Sequence, residues 1–116
     1  MALVLCTGVD KTLLQTRRLI LEREGHTVVT VSDEKNLTAV CQKHSFNVAV
    51  IGQTLSPKMK QRIALLVRQH CPGAKILELH PPYAEKVIND ADSWLEVPID
   101  VPQELAARVN ELAERD

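Results

Sequence analysis

Two patterns of apolar residues alternate along the chain. Ala2 to Cys6 and Val48 to Ile51 are unbroken apolar runs, the mark of parallel strands buried on both faces. Thr27 to Val31 mixes threonines with valines, Lys75 to Leu79 carries Glu78, and Trp94 to Val97 carries Glu96, as expected of strands with a wetter side. Between the runs, Leu37, Val40, Cys41 and His44 recur at helical spacing, as do Met59, Ile63, Leu66, Val67 and His70. The pattern predicts five strands, each followed by an amphipathic helix.

Local signals set the boundaries. Asp10 is a cap for a helix over about 11–23 that Gly25 ends, and Ser32 or Asp33 caps the second. Ser56-Pro57 opens the third helix and Cys71-Pro72-Gly73 closes it. A short fourth helix is expected from Tyr83 to Ala91, between Pro81-Pro82 and the acidic Asp90-Asp92 region. A fifth is expected over about 102–113, with Leu105, Val109 and Leu112 inward.

Five alternating units with right-handed crossovers give an α/β fold: a single doubly wound five-stranded parallel sheet, order 2-1-3-4-5, with helices on both faces. The driest strands, the first and third, are then interior. Residues 1–116 read as one domain, since 116 residues are too few for two ordinary ones. Function in such sheets gathers where the carboxyl ends of strands 1 and 3 diverge, here Thr7-Gly8-Val9-Asp10 and Gly52-Gln53-Thr54.

Composition narrows the function classes. Aromatic residues are 3% of the chain, too few for single-strand stacking platforms, and no apolar run is long enough to span a bilayer. Net charge is −1, distributed as +1 over residues 1–52, +5 over 53–75 and −7 over 76–116. The basic run Lys58, Lys60, Arg62 and Arg68 reads as solvated helix surface, so nucleic acid is not an expected partner. Cys6, Cys41 and Cys71 have no CxxC spacing and read as free thiols of a reducing cytoplasm. His26, His44, His70 and His80 lack metal-ligand spacing, so no metal or cofactor is expected. Cys41 and His44, three apart, read as a buried structural pair rather than a nucleophile and its base.

Leu3-Val4-Leu5-Cys6, then Leu21-Glu22-Arg23-Glu24-Gly25-His26-Thr27-Val28-Val29, then Phe46 to Gly52, then the segment from Asp90 to Asp100 stand in a familiar order. Over nearly its whole length the chain resembles bacterial response-regulator receiver domains, CheY-like modules of two-component phosphorelay systems. The resemblance implies an acidic pair after strand 1 to hold Mg²⁺, an acceptor aspartate ending strand 3, a hydroxyl ending strand 4 and a lysine before the strand-5 proline. Here the acidic-pair position is Thr7-Gly8, or Gly8-Val9 if the match slips by one. The acceptor position is Gly52, the hydroxyl position falls at Leu79 or His80, and the lysine position is Val97. Asp10 is one carboxylate and reads as a helix cap.

The expectation is therefore a pseudo-receiver: not an enzyme, not phosphorylated, a cytoplasmic docking module acting through another signalling protein, with self-association open. With no output domain after the fifth helix, its effect would pass through that partner. The expected partner face, formed by the fourth helix, fifth strand and fifth helix, is rigid and acidic, with Tyr83, Glu85, Trp94 and Glu96 joined by Asp90, Asp92 and Asp100. A cis Val97–Pro98 bond is also implied by the resemblance. The alternative is a small-ligand sensor binding at the Gly8/Gly52 crevice, which Trp94 would adjoin.

Overall fold

A computed structural model describes residues 2–97 and 103–115. Five strands, β1 (Leu3–Thr7), β2 (Thr27–Val31), β3 (Val48–Ile51), β4 (Lys75–His80) and β5 (Ser93–Glu96), form one parallel sheet in the order β2-β1-β3-β4-β5. Four helices cover it: α1 (Lys11–Arg23), α2 (Glu34–Lys43), α3 (Pro57–His70) and α4 (Gln103–Glu114). The expected strand order and helices on both faces are thus present.

The capping signals act as their chemistry dictates. Asp10 Oδ1 accepts from the N–H groups of Thr12 and Leu13, Asp33 accepts from Asn36, and Ser56 Oγ accepts from Met59, with Pro57 at the first helical position. Gly25 supplies the left-handed turn, φ 90°, between α1 and β2. His26, next in the chain, ties three elements together: its Nδ1 accepts from Ala2 N–H at 3.0 Å, so Nε2 carries the proton that faces Asn110 Oδ1 on α4.

Side chains alternate across each strand and divide the core. Leu5, Ile51 and Ile76 join Leu37, Ile63 and Val67 under α2 and α3, whereas Val4, Cys6, Val50, Leu77, Leu79 and Leu95 join Leu14, Leu21, Leu105, Val109 and Leu112 under α1 and α4.

The fourth of the five expected helices does not form. Residues 81–92 run as successive turns from β4 to β5. Pro81 and Pro82 have no N–H to donate. Further on, the N–H groups of Val87 and Ile88 bond to the carboxylate of Glu78 at 2.8–3.0 Å, and Ile88 carbonyl accepts from Trp94 Nε1 at 3.0 Å. Side chains of the sheet thereby take backbone groups that a helix would need for itself. The expected cis bond involves Pro98, which lies outside the described residues.

Candidate functional site

The carboxyl edge of the sheet is where the implied chemistry would sit. Across it, in strand order, stand Gly8 after β1, Gly52 after β3, Leu79 near the end of β4 and Val97 after β5. By strand alternation the Cα substituents of all four belong to the α1/α4 face, and Leu79 and Val97 are part of that apolar cluster. These four positions therefore share one face of the edge, and they bring two glycines, a leucine and a valine. Thr7 turns to the other face, and its hydroxyl donates to Val50 carbonyl at 2.9 Å. His80 Nδ1 lies 3.1 Å from Pro81 carbonyl, so the second candidate for the hydroxyl position is engaged locally.

One charged group enters this edge that the sequence reading did not single out. Arg17 projects from α1 and is only 7% exposed. Its Nη2 donates to Gln53 Oε1. A Cβ placed on Gly52 would meet Arg17 Nη1 at 3.1 Å and Thr7 carbonyl oxygen at 2.8 Å. Gly52 is thus required by close approach, and the space where a residue-52 side chain would begin borders a guanidinium. Burial lowers the proton affinity of Arg17, against the attraction of Cys6 and Asp10, yet a guanidinium retains its charge under such a shift. Beside it, burial pushes the Cys6 thiol up to about 12. The sequence carried a signal for Arg17: it stands between Leu14 and Leu21 on the inward stripe of α1.

Receiver domains imply a divalent cation at this edge, and these residues do not fit one. Asp10 engages its carboxylate with two backbone donors, the Thr7 hydroxyl is turned away, and a fixed guanidinium repels a second cation. Among the described residues there is no cluster of three or more His, Cys, Asp or Glu able to hold a metal. The crevice lined by Thr7, Gly8, Asp33 and Leu37 encloses about 10 Å³, close to the space of one water.

The basic run of α3 is only in part the solvated surface expected: Lys58 and Arg62 are exposed, Arg68 is half-buried and Lys60 is not solvated. Lys60 is buried: its Nζ lies 2.9 Å from Glu78 Oε2 and 2.8 Å from Leu79 carbonyl. Arg62 pairs with Glu34 at 3.1 Å, and Arg68 donates to Asp90 carbonyl and stands 3.6 Å from Asp92. Nor does His44 belong to an inner stripe; it is exposed, its ring 5.7 Å from that of Phe46. Cys41 instead neighbours Cys71, whose Sγ lies 3.6 Å from the Cys41 carbonyl oxygen.

The expected partner face is differently built in two respects. Trp94 packs against the α2/α3 cluster, on the face of the sheet opposite Gly8 and Gly52, so it does not adjoin that crevice. Its Nε1 is bonded to Ile88, its carbonyl accepts from Arg108 at 2.6 Å, and Lys86 Nζ lies 4.7 Å from its ring centroid. Asp90 and Asp92 share Arg68, so only part of the acidity is uncompensated; among the described residues Glu85 and Glu96 make no ion pair. Tyr83 is 90% exposed, and Asp100 lies outside the described residues.

No protein-family model matches the chain, and no curated protein matches it. Solved structures do. A response regulator from Thermotoga maritima superposes with a TM-score of 0.82 at 16% identity, covering 97% of this chain and 98% of that one. The chemotaxis protein CheY4 of Vibrio cholerae gives 0.81 at 22% identity, covering 97% and 98%. The receiver domain of the sensor histidine kinase PA1611 from Pseudomonas aeruginosa, which has a magnesium ion coordinated in its active-site cleft, gives 0.79 at 12% identity, covering 98% of each. With the five-stranded order and the two helical layers already described, these similarities establish that the chain has the CheY-like fold of response-regulator receiver domains.

Proposed function

We propose that residues 1–116 act as a receiver-like signalling module of a two-component type that works by protein–protein contact and is not itself phosphorylated. The observation that carries this reading is the placement of the Arg17 guanidinium against Gly52. At the acceptor position there is no side chain, and a Cβ there would lie 2.8 Å from Thr7 carbonyl and 3.1 Å from Arg17 Nη1. Phosphoryl transfer to a carboxylate needs that carboxylate and a hard cation to neutralise the phosphoryl oxygens. This edge offers glycine and a fixed organic cation. No catalytic role is assigned to any residue.

The partner is read as another signalling protein that docks on the face carrying Tyr83, Glu85, Trp94 and Glu96. An exposed tyrosine in the segment leading to β5 and a restrained tryptophan on that strand would serve as aromatic anchors, and Glu85 and Glu96 would steer a basic surface toward them. The ligand-sensor alternative gains little: the space at Gly52 is closed by Thr7 carbonyl and Arg17, and the crevice that borders Gly8 beside Asp33 and Leu37 encloses about 10 Å³.

The test is incubation of the full chain with labelled acetyl phosphate and Mg²⁺. No stable label is expected; an acyl phosphate mapped to any aspartate would overturn the reading.

A further inference from the structure

The ends of α2 and α3 bring two cysteines together on the face of the sheet opposite Gly52. Cys71 terminates α3, with φ −132° and ψ 60°. Its Sγ lies 3.6 Å from the carbonyl oxygen of Cys41 and 3.9 Å from that of His44, so its thiol sits against the backbone at the end of α2. Both are buried, at 4% and 6% exposure. Beside them a surface cavity of about 450 Å³ is lined by Cys41, His44, Phe46, His70 and Cys71, among others. The cavity has room for a small molecule beside both cysteines. The third cysteine, Cys6, lies across the sheet in the α1/α4 cluster, 1% exposed, with no second thiol near it.

We propose that Cys41 and Cys71 form a redox pair that closes to a disulfide when a hydroperoxide enters this cavity, joining the end of α2 to the end of α3. With hydrogen peroxide, the Cys71 sulfur attacks one peroxide oxygen, the O–O bond breaks, and the other oxygen leaves as water, producing a sulfenic acid. The Cys41 sulfur then attacks the Cys71 sulfur. The S–S bond forms, the S–O bond breaks, and the hydroxide leaves as water with the proton of the Cys41 thiol. Two thiols have lost two electrons and two protons, and one peroxide has become two waters. Cys71 is placed first because it stands past the last residue of α3, next to Pro72 and Gly73, whereas Cys41 is held within the last turn of α2 and burial pushes its thiol up to about 12.

A disulfide needs its sulfurs about 2 Å apart, so closure requires the chain to move. The place where it can move is built in. Cys71 is followed by Pro72 and by Gly73, whose Cα faces open space, so the α3 terminus can shift without disturbing the buried helix interior. Cys41 lies in the last turn of α2, one side of the same cavity.

The experiment treats the full chain with hydrogen peroxide, quenches it, unfolds it, and alkylates with N-ethylmaleimide before intact-mass and peptide analysis. Two of the three thiols should become unavailable together, a peptide linking Cys41 to Cys71 should appear, Cys6 should remain alkylated, and dithiothreitol should restore all three. In Cys41→Ser, oxidation of Cys71 should stop at a sulfenic acid trapped by dimedone, whereas Cys6→Ser should form the link unchanged. Progression of either cysteine to sulfinic acid without a linked peptide would overturn the proposal, as would a link made only between chains. So would survival of both thiols at peroxide doses that modify Cys6.

Discussion

Lys60 Nζ lies 2.9 Å from Glu78 Oε2, and the two side chains are 4% and 0% exposed. Around this pair the fold organises the segment that the sequence pattern assigned to a helix. Glu78 accepts from Lys60, Val87 and Ile88, and Lys60 also donates to Leu79 carbonyl, so the charges are surrounded by bonded partners. No buried side-chain nitrogen or oxygen among the described residues lacks a partner. A buried pair of this kind roughly balances desolvation against attraction, but removing one member leaves the other uncompensated.

Glu78→Gln should therefore destabilise the protein by about 3–5 kcal/mol, and Lys60→Met by a similar amount, in urea denaturation at pH 7. The two substitutions should be strongly non-additive, because the second removes a group the first has already stranded. A Lys60→Met cost below about 1 kcal/mol would show that the ammonium is not the partner that matters.

The same pair sets an acid dependence. Burial raises the Glu78 carboxyl, but the bond from Lys60 and the N–H groups of Ile88 and Val87 outweigh it and hold the group below its ordinary value. A folded value below the unfolded one, about 4.3, means that the contribution is complete above that pH and is lost as pH falls through the folded value. The stability difference between the native chain and Glu78→Gln should be constant from pH 6 to 8 and shrink below about pH 4. A difference that persists undiminished at the lowest pH where the native chain stays folded would contradict the assignment.

Much of the fold was legible in the sequence because its signals are local. The caps Asp10, Asp33 and Ser56, the Pro57 start and the apolar runs of β1 and β3 each act within a few residues, and the observed elements follow them. The missing helix was not legible for a matching reason: what holds residues 81–92 is Glu78, nine and ten positions before the N–H groups it binds. A hint existed in the pairing of oddities. Glu78 is an acid in a buried strand, and Lys60 is a base on the stripe of Ile63, Ala64 and Val67. Arg17, between Leu14 and Leu21, is the same kind of sign. That the acceptor position implied by the resemblance holds a glycine could be read from the sequence, but the cation facing Gly52 could not, since α1 and β3 meet only through the tertiary fold.

Replacing Gly52 tests that meeting directly. Gly52→Ala puts a Cβ 2.8 Å from Thr7 carbonyl, a contact that backbone must relieve, and should cost about 1–3 kcal/mol by thermal or urea unfolding. Gly52→Asp suffers the same crowding. Its carboxylate, however, would find Arg17 Nη1 close by and form an ion pair within a strained backbone. Beryllofluoride with Mg²⁺ should not bind Gly52→Asp, because the guanidinium both neutralises the new acid and repels the metal. Saturable beryllofluoride binding by ¹⁹F NMR would refute this.

The proposed docking face separates from the core in its energetics. Tyr83 is 90% exposed and its side chain makes no hydrogen bond among the described residues, so Tyr83→Ala should change unfolding free energy by no more than about 0.5 kcal/mol. If Tyr83 anchors a partner, the same change should weaken binding about tenfold or more, in the range of interface aromatics. Trp94 is different in kind. It is bonded through Nε1 to Ile88, capped by Lys86 and packed on the α2/α3 cluster, so Trp94→Ala should lower both stability and affinity. Chemical-shift mapping with a bound partner should place the perturbations at Tyr83, Glu85, Trp94 and Glu96, with Arg68 included because it joins Asp90 and Asp92 at this edge. Perturbations centred on Lys58 and Arg62, at the opposite end of α3 from Arg68, would show that the partner reads the basic helix and not the face beside β5.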